Sequence, residues 1–534
     1  MAKISRRDFT TMCSAALTAG TFLAGWPSLL AELPPAPGAT DDELTSLTLL
    51  EASVRIHNRS VTSVQLTKAL LKRIGVYDSK LNAYITVKST EALKQAAQLD
   101  EEAKAGRFRS PLHGIPVALK DNIDTAGTRT TAASPMFKTR VPTEDAEVVR
   151  RLKASGAVIL GKLNLHEFAL GCTGDVSYFG PSRNPWNLQL VTGGSSGGSG
   201  AAVAADLCYG ALGTDTGGSI RVPSSWCGIV GIKPTAGLVS IRGIVPCLAS
   251  LDHCGPMART VEDVALMLTQ LAGYDAGDIF SVEHPLQDYF KLMKQPVSSF
   301  RLGAPVEFYD HLEAEVAEVV GAAIAVLTRL TQGVTSHATL PAIPEGENFF
   351  NALGDTAAYH EPLIKESGMD YMPPTINDLK EIMTPATAAD SSRSRNTLAM
   401  IRRKIDAAFN DFDLVVVPTT TSLPKPIKDA LKMEMSDRKP TKAYDFFDPT
   451  SGCNNTAPFD VYGIPALTLP CGFSKSGLPV GLMIAGPHFS EGKVLALAYA
   501  FQQATDWHTR KPNLTPAMAV PALVEDEVQE PKKS

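Results

Sequence analysis

The sequence predicts an α/β fold in which a large mixed β-sheet is flanked by α-helices on both faces. Two observations support this prediction. Helical and strand patterns alternate along most of the chain, and the composition is that of an ordinary globular enzyme, with 44% hydrophobic and 20% charged residues. The chain has 534 residues, enough for several average domains, but one large sheet can absorb this length.

The first elements expected along the chain are helices. Apolar residues recur at helical spacing over 41–56 and 62–77, and a charged, alanine-rich helix over 90–106 ends in glycine. Residues that favour the N-cap position stand at the starts of the first two: Asp41, Asp42 and Thr62.

Later segments alternate between helix and buried strand. Residues 147–161 have the pattern of a helix, a glycine stop and a buried strand, and a helix over 391–412 precedes a strand over 413–418. A strand over 479–484 and a helix over 491–504 follow. This alternation favours α/β layers over an all-β or all-α fold.

Two serine-bearing glycine turns, GGSSGGS and DTGGS, lie in residues 193–223 and are joined by an apolar stretch long enough for a helix and a strand. Glycine allows close backbone approach, so these turns can present Ser195 and Ser219 beside unhindered N–H groups. Lys120 ends the short apolar run GIPVALK. Amide hydrolysis needs an activated nucleophile, a proton for the leaving amine and donors for the oxyanion, and two serines with a lysine can supply the first two.

These motifs resemble those of the amidase signature hydrolases. The resemblance covers roughly residues 40–510 and is densest from about 112 to 260, and a later run at 463–470, GIPALTLP, resembles the C-terminal signature strand of that family. It implies the amidase-signature fold and an amide hydrolase that uses no cofactor and no metal. A small-molecule amide is the implied substrate.

The resemblance also implies a role for each reactive residue. Ser219 attacks the carbonyl, Ser195 bridges by hydrogen bonds, Lys120 is the base, and the peptide bond between Gly194 and Ser195 is cis. The base must be neutral, so we expect burial to lower its pKa from about 10.4, and we expect Asp121 to turn away from it. The candidates for the oxyanion hole are the N–H groups of Thr216, Gly217, Gly218 and Ser219. The expected supporting residues are Ser196, by a hydrogen bond to the lysine, and Asp215 and Arg221, by bracing the turn.

The first turn also contains a G-x-S-x-G motif at 194–198, the nucleophile elbow of α/β-hydrolases. That alternative would make Ser196 the nucleophile, with a histidine as its base. The preceding segment, 184–192, lacks the clear apolar strand that an elbow requires. The histidines nearest to the motifs, His113 and His166, are expected to be structural or to line a pocket. A phosphate-binding loop is disfavoured because no Lys-Ser/Thr pair follows the glycines.

The N-terminal segment 1–31 resembles a twin-arginine export signal, with Arg6 and Arg7 before a mildly apolar stretch and cleavage between about 31 and 39. The export machinery is then a partner, and the mature protein is periplasmic or secreted. A chance arginine pair and a permanent N-terminal anchor are alternatives. Two glycines and a proline interrupt the stretch and disfavour a spanning helix.

The remaining chain is expected to form one catalytic domain over 40–512, followed by a C-terminal extension over 513–534. Within the domain, 280–450 has no signature residues and several proline-rich breaks, so it is the expected substrate-shaping region. Aromatic side chains that could line a pocket there are Phe349, Phe350, Tyr359, Tyr371, Phe446 and Phe447.

Charge and cysteine content exclude some classes of protein. A formal charge of −6 and a pI near 6.0 argue against nucleic-acid binding. Of the eight cysteines, Cys13 would be removed with the signal. Seven would remain, and because seven is an odd number at least one of them has a free thiol. None of the cysteines has the paired spacing of a zinc site. Cys247 and Cys254 are the first pair to test for a disulfide, and buried inert thiols are the alternative.

Two functions therefore remain open. The first is an exported amidase that cleaves a carboxamide, aryl amide or peptide amide through an acyl-enzyme. A homodimer is an option for this enzyme. The alternative is the glutaminase A subunit of a tRNA-dependent amidotransferase, which works in the cytoplasm with partner subunits. The export signal and the chain length favour the first. A catalytically silent binding protein is disfavoured because Lys120, Ser195 and Ser219 are all present.

Overall fold

The computed structural model describes residues 40–344, 347, 349–384, 386–435 and 452–523. Several predictions lie outside the described residues: the export signal and its cleavage region, the pocket aromatics Phe446 and Phe447, and the second half of the C-terminal extension, 524–534.

The strands, in chain order, are β1 (Tyr84–Val87), β2 (Pro116–Lys120), β3 (Val158–Leu163), β4 (Arg183–Asn184), β5 (Asn187–Val191), β6 (Gly210–Asp215), β7 (Val230–Lys233), β8 (His253–Ala258), β9 (Leu302–Gly303), β10 (Val334–Thr335), β11 (Leu414–Pro418), β12 (Ala466–Phe473) and β13 (Pro479–Ala485).

The helices are α1 (Asp41–Ser46), α2 (Leu49–His57), α3 (Ser63–Leu81), α4 (Ser89–Lys104), α5 (Glu147–Ser155), α6 (Gly197–Ala204), α7 (Arg221–Cys227), α8 (Val261–Leu271), α9 (Tyr289–Leu292), α10 (Ala314–Leu330), α11 (Phe349–Leu353), α12 (Asp355–Ser367), α13 (Pro373–Ile382), α14 (Ala388–Lys404), α15 (Ile427–Met435), α16 (Pro458–Tyr462) and α17 (Glu491–Gln503).

In the part of the chain that the structure describes, one 11-stranded mixed sheet runs in the order β1-β3-β2-β6-β8-β7-β12-β13-β11-β9-β10, and β4 pairs with β5 separately. β2 is parallel to both β3 and β6, and β9 is parallel to both β10 and β11. The remaining neighbours are antiparallel. The parallel set β3-β2-β6 matters for function, because the carboxyl ends of parallel strands meet at one edge of a sheet.

Both faces of the sheet are covered. Leu414 and Val416 of β11 pack into a large apolar cluster that also contains Leu49, Leu66, Leu212 and Phe501. Val415 and Val417 pack into a second apolar cluster, which contains Phe168, Phe350, Tyr371 and Phe459. Successive side chains of a strand point to opposite faces, so at β11 the two clusters lie on opposite faces of the sheet. The predicted mixed sheet with helices on both faces is confirmed.

Some element boundaries differ from the prediction. The helix expected over 41–56 is two helices, because Thr48 forms a capping box with Glu51 and starts α2. Thr40 rather than Asp41 or Asp42 caps α1, whereas Thr62 caps α3 as expected. The long helix expected before β11 is α14 followed by a 3₁₀ segment over Ile405–Asn410.

The predicted helix, glycine stop and buried strand at 147–161 are present as α5, Gly156 and β3. Gly156 closes α5 with a φ of 88°, which is the left-handed conformation that glycine favours. Among the described residues, no helix combines the length and the apolar character needed to span a bilayer.

Candidate active site

Lys120 is the last residue of β2, at the carboxyl end of the parallel strands. Its side chain is fully buried. Its Nζ lies 2.7 Å from Oγ of Ser195 and 2.7 Å from Oγ1 of Thr214, which belongs to the adjacent strand β6. Parallel pairing of β2 with β6 therefore delivers the lysine and the threonine to one point.

Ser195 lies in the turn between β5 and α6, and the peptide bond that joins it to Gly194 is cis, as expected. The N–H of Gly194 donates to the carbonyl of Cys172 at 2.7 Å. A Cβ at position 194 would lie 2.5 Å from the backbone nitrogen of Gly174. Glycine is therefore required here by close backbone approach rather than by a positive φ.

Ser219 lies on the turn after β6 and is almost fully buried. Its carbonyl accepts the N–H of Ser196 at 3.3 Å, so the two serine-bearing turns are in direct contact. Among the described hydrogen bonds, none joins the hydroxyl of Ser195 to that of Ser219. The structure thus brings Lys120 and Ser195 into contact and places Ser219 on the adjoining turn.

Burial changes the acid–base character of the lysine. Desolvation lowers the pKa of Lys120 to about 7, while Cys247, Asp215, Asp252 and Cys254 act weakly in the opposite direction. A lysine with this pKa is neutral in a large fraction of molecules at pH 7. The lowering that we expected from the sequence is present.

The Asp121 carboxylate turns away from Lys120, as expected. It accepts the N–H of Thr131 at 2.8 Å and lies 3.3 Å from Nζ of the fully buried Lys162. Because Lys162 balances its charge, Asp121 does not tie up the amine of Lys120.

The expected hydrogen bond between Ser196 and Lys120 is absent, and that prediction was wrong. Oγ of Ser196 donates to the carbonyl of Thr214 at 3.1 Å and accepts the N–H of the same residue at 3.3 Å. The hydroxyl of Thr214, on β6, takes the place beside the lysine. A Ser196 hydroxyl bonded to backbone also disfavours the nucleophile-elbow alternative, although the short strand β5 does precede the turn.

The turn that carries Ser219 is held by Asp215. This carboxylate accepts the N–H of Gly218 at 2.5 Å and the N–H of Ile220 at 3.0 Å. Gly218 was a candidate oxyanion donor, and that prediction is wrong in this geometry because its N–H is already bonded. Of the four candidate oxyanion donors, the N–H groups of Thr216, Gly217 and Ser219 have no hydrogen-bond acceptor among the described residues.

Arg221 is also fully buried and braces the same turn, as expected. Its guanidinium contacts Asp215 at 2.9 Å and Asp460, on α16, at 2.5 Å, and it donates to the carbonyl of Thr456 at 2.7 Å. Although burial opposes it, the two carboxylates raise the pKa of Arg221, so the guanidinium stays charged. One arginine thus fixes the turn against a distant segment of the chain.

Comparison with known proteins identifies the family. The profile described as Amidase matches residues 65–495. This chain belongs to the amidase family. The resemblance to amidase signature enzymes inferred from the sequence is therefore confirmed. The protein belongs to a class of enzymes that act on C–N bonds.

Curated relatives of this chain include subunits A of glutamyl-tRNA(Gln) amidotransferase. The one from Moorella thermoacetica is 40% identical over 504 residues, which are 88% of this chain and 99% of the relative. The one from Roseiflexus sp. is 38% identical over 504 residues, with the same coverage.

Solved structures of the family share the fold. A 6-aminohexanoate cyclic dimer hydrolase superposes with a TM-score of 0.78 at 27% identity and covers 88% of this chain and 99% of its own. The peptide amidase from Stenotrophomonas maltophilia superposes with a TM-score of 0.72 at 33% identity and covers 87% of this chain and 98% of its own.

In the described part of the chain, a disulfide joins Cys172 to Cys453, and Cys247 and Cys254 are free buried thiols, so the expectation that these two pair was wrong. Cys254 lies within β8 and its thiol is buried in the sheet. Cys172 and Cys453 instead lie on two loops that meet beside the serine turns. Burial raises the pKa of Cys254 to about 12, so its thiol is inert. A buried inert thiol was the alternative to the disulfide in the sequence analysis.

Besides Thr214, three further residues that contact the site were missed by sequence reasoning. Thr456 donates to the carbonyl of Gly217 at 2.7 Å, Asp252 accepts the hydroxyl of Thr216 at 2.5 Å, and Asp460 contacts Arg221. None lies in a glycine-rich motif or beside a reactive residue in sequence. Only the fold brings them to the turn.

The histidines proposed as structural or pocket-lining are not part of this constellation. His113 is buried, and its Nε2 is 3.0 Å from the carbonyl of Leu99. His166 lies next to the site, since its N–H donates to the carbonyl of Ser195 at 3.0 Å. Among the described residues, no group of three or more His, Cys, Asp or Glu side chains could hold a metal ion.

The region expected to shape the substrate site packs against the residues that follow β3. Phe349, Phe350 and Tyr371 are buried in the second apolar cluster, and Tyr359 packs against it. Glu167 accepts the N–H of Met372 at 3.0 Å and so anchors this region near the site. Most of these aromatics are therefore core residues in the described structure.

Proposed function

We propose that the chain hydrolyses a C–N amide bond through an acyl-enzyme on Ser219, with Ser195 as the proton bridge and Lys120 as the base. The observation that carries this proposal is the 2.7 Å contact between the Lys120 amine and the Ser195 hydroxyl. It lies in a site where burial lowers the pKa of the lysine to about 7. An amine with that pKa can take and return a proton near neutral pH.

The reaction divides into acylation and deacylation. In acylation, Lys120 accepts the proton of Ser195 while Ser195 accepts that of Ser219, whose oxygen attacks the carbonyl carbon. The free N–H groups of the turn stabilise the negative oxygen that forms. The proton on Lys120 returns through Ser195 to the leaving amine, the C–N bond breaks, and an ester on Ser219 remains. Water then attacks the ester by the same route and releases a carboxylic acid.

The first candidate for the amide is the side chain of glutamine. It rests on the curated relatives, which are subunits A of an amidotransferase and align over 88% of this chain. In this proposal the released ammonia is used by partner subunits, and the chain works in an assembly.

The second candidate is a stand-alone exported amidase that acts on a small carboxamide, an aryl amide or a peptide amide. The disulfide between Cys172 and Cys453 favours it, because disulfides persist in oxidising compartments such as the periplasm. The arginine pair Arg6-Arg7 and the similarity to a peptide amidase point the same way.

A substrate panel separates the two candidates. The purified enzyme is incubated with glutamine, primary amides, anilides and amino-acid amides, with and without the companion subunits of an amidotransferase. Glutamine turnover that requires the companion subunits supports the first candidate, and turnover of a small amide by the chain alone supports the second. In either case an acyl group found by mass spectrometry on the peptide that holds Ser219 supports the mechanism. Acylation elsewhere would refute it.

Localisation is tested by changing the export motif. Arg6→Lys and Arg7→Lys together should leave the precursor inside the cell, because the twin-arginine pathway reads the arginine pair. Fractionation of cells that express the wild type and the variant measures this. Equal export of both proteins would reject the signal.

A further inference from the structure

Asp252 lies just before β8 and contacts the turn that carries Ser219. One carboxylate oxygen accepts the hydroxyl of Thr216 at 2.5 Å and the N–H of Leu248 at 3.2 Å. The other accepts the N–H of Cys247 at 2.9 Å. Donors on both oxygens fix the orientation of the carboxylate.

The charge of the same carboxylate also acts on the titration of Lys120. Burial lowers the pKa of Lys120, and the charge of Asp252 acts against this lowering. Asp252 therefore touches one proposed element of the site, the oxyanion turn, and acts electrostatically on another, the base.

We propose that Asp252 is a positioning residue that joins the oxyanion turn to the lysine. Its hydrogen bond fixes Thr216, and its charge acts on the amine that becomes positive at each proton transfer. This inference rests on the proposed function and extends it to a residue outside the signature motifs.

The hydrogen bond has a direct consequence for the oxyanion hole. The N–H of Thr216 is one of the three donors left free by Asp215, and its direction depends on how the residue is held. Donors that are fixed before the reaction stabilise a developing oxyanion best, because they need no reorganisation. Loss of the bond from Thr216 to Asp252 should therefore slow acylation without changing the base.

The charge has a separate consequence for pH dependence. The other groups that act on Lys120 are Asp215, Cys247 and Cys254. Asp215 is paired with Arg221, and burial raises the pKa of both thiols, which keeps them neutral. Asp378 acts on the thiol of Cys247. Burial raises the pKa of Asp252, and the hydroxyl of Thr216 and the N–H groups of Leu248 and Cys247 act against this rise. Among the described residues, Asp252 forms no ion pair with a lysine or arginine, so in its ionised form its charge acts on Lys120 without a paired cation.

Four variants separate the two effects. Thr216→Val removes the hydrogen bond and keeps the charge, Thr216→Ser keeps both, Asp252→Asn removes the charge, and Asp252→Glu keeps the charge but moves the oxygens. The probe is p-nitrophenyl acetate, and single-turnover acylation is followed across pH by the mass of the intact protein. Peptide mapping then locates the acetyl group.

We expect Thr216→Val to slow acylation about 10-fold or more at every pH with an unchanged midpoint, and Thr216→Ser to match the wild type. In Asp252→Asn the midpoint should move to lower pH, because loss of a negative charge that acts on the amine lowers the pKa of Lys120. Asp252→Glu should be slower but keep the wild-type midpoint, and it tests the charge if Asp252→Asn does not fold.

Asp263 supplies the matched control. It is a buried aspartate on α8 that accepts the N–H of Leu50 at 2.9 Å, away from the serine turns. Asp263→Asn should keep the wild-type acylation rate and midpoint, whatever its effect on thermal stability.

Two outcomes overturn the inference alone: a wild-type midpoint in Asp252→Asn, or a wild-type rate in Thr216→Val, with the acetyl group still on Ser219. Failure of the proposed function looks different. In that case the acetyl group lies on another residue, or Lys120→Ala acylates with the same pH dependence as the wild type.

Discussion

Arg221 shows at the scale of one residue how the site depends on buried charge. Its guanidinium lies between Asp215 and Asp460, and all three side chains are fully buried. Burial of charge is costly. Although burial opposes ionisation, pairing keeps Arg221 and Asp215 charged, whereas burial raises the pKa of Asp460. The position of the turn that carries Ser219 therefore depends on this cluster of buried side chains.

Replacing Arg221 with methionine should lower the free energy of unfolding by about 3–5 kcal/mol, because two carboxylates lose their buried partner. Denaturant unfolding of the purified variant measures the change. Arg393→Met is the control, since Arg393 forms an exposed ion pair with Asp390, and exposed pairs contribute about 0–1 kcal/mol. Equal midpoints for the two variants would contradict the structural role given to Arg221.

The sequence predicted the residues that lie in the glycine-rich motifs, and it missed those that only the fold brings near. Lys120 and Ser195 are in contact as expected, because each stands at the end or turn of a recognisable element. Ser196 was assigned a partner it does not have, since one hydroxyl on β6, that of Thr214, occupies the position beside the lysine. No local pattern distinguishes those two hydroxyls.

At the scale of the element, helix α6 depends on a glycine that no side chain can replace. A Cβ on Gly198 would lie 2.5 Å from the carbonyl oxygen of Ala83 and 2.6 Å from the backbone of Asn164. Backbone atoms cannot rotate away as a flexible side chain can. The start of α6, directly after Ser195 and Ser196, is therefore packed against two other segments.

We expect Gly198→Ala to destabilise the protein by about 1–3 kcal/mol through overpacking, and to reduce activity because α6 carries the Ser195 turn. Gly321→Ala is the matched control. Gly321 lies in α10 with nothing within 4 Å of its Cβ position, so alanine should stabilise the helix by about 0.5–1 kcal/mol. Chemical denaturation and steady-state rates test both. A Gly198→Ala protein as stable as the wild type would refute the packing argument.

Elements with a strong local signal were predicted well, and boundaries set by a single side chain were not. The unit α5, Gly156 and β3 has periodicity, a glycine stop and a buried apolar run that agree with one another. The break between α1 and α2 depends on the capping box of Thr48 with Glu51, which competes with a continuous apolar pattern. Strand order could not be predicted, since pairing depends on contacts distant in sequence.

At the scale of the whole molecule, one covalent link ties together loops that are 281 positions apart in sequence. The carbonyl of Cys172 accepts the N–H of Gly194, and the carbonyl of Cys453 accepts the N–H of Thr456. Thr456 in turn donates to Gly217. The disulfide therefore connects the segments that support both serine turns.

Loss of this disulfide should lower the free energy of unfolding by about 2–4 kcal/mol, because the unfolded chain is no longer constrained. The test compares the wild type with and without a dithiol reductant, and with the double variant Cys172→Ala and Cys453→Ala. Cys227→Ala controls for the loss of a buried sulfur, since Cys227 is a free buried thiol. Unfolding that is the same with and without reductant would contradict the link.

If a neutral Lys120 drives the attack of Ser219, acylation must depend on pH. The rate of a single acylation should rise as pH passes through about 7, where Lys120 loses its proton, and the acyl group should be found on Ser219. In Lys120→Ala this rise should disappear. A variant that keeps the wild-type profile, or an acyl group on another residue, would contradict the account.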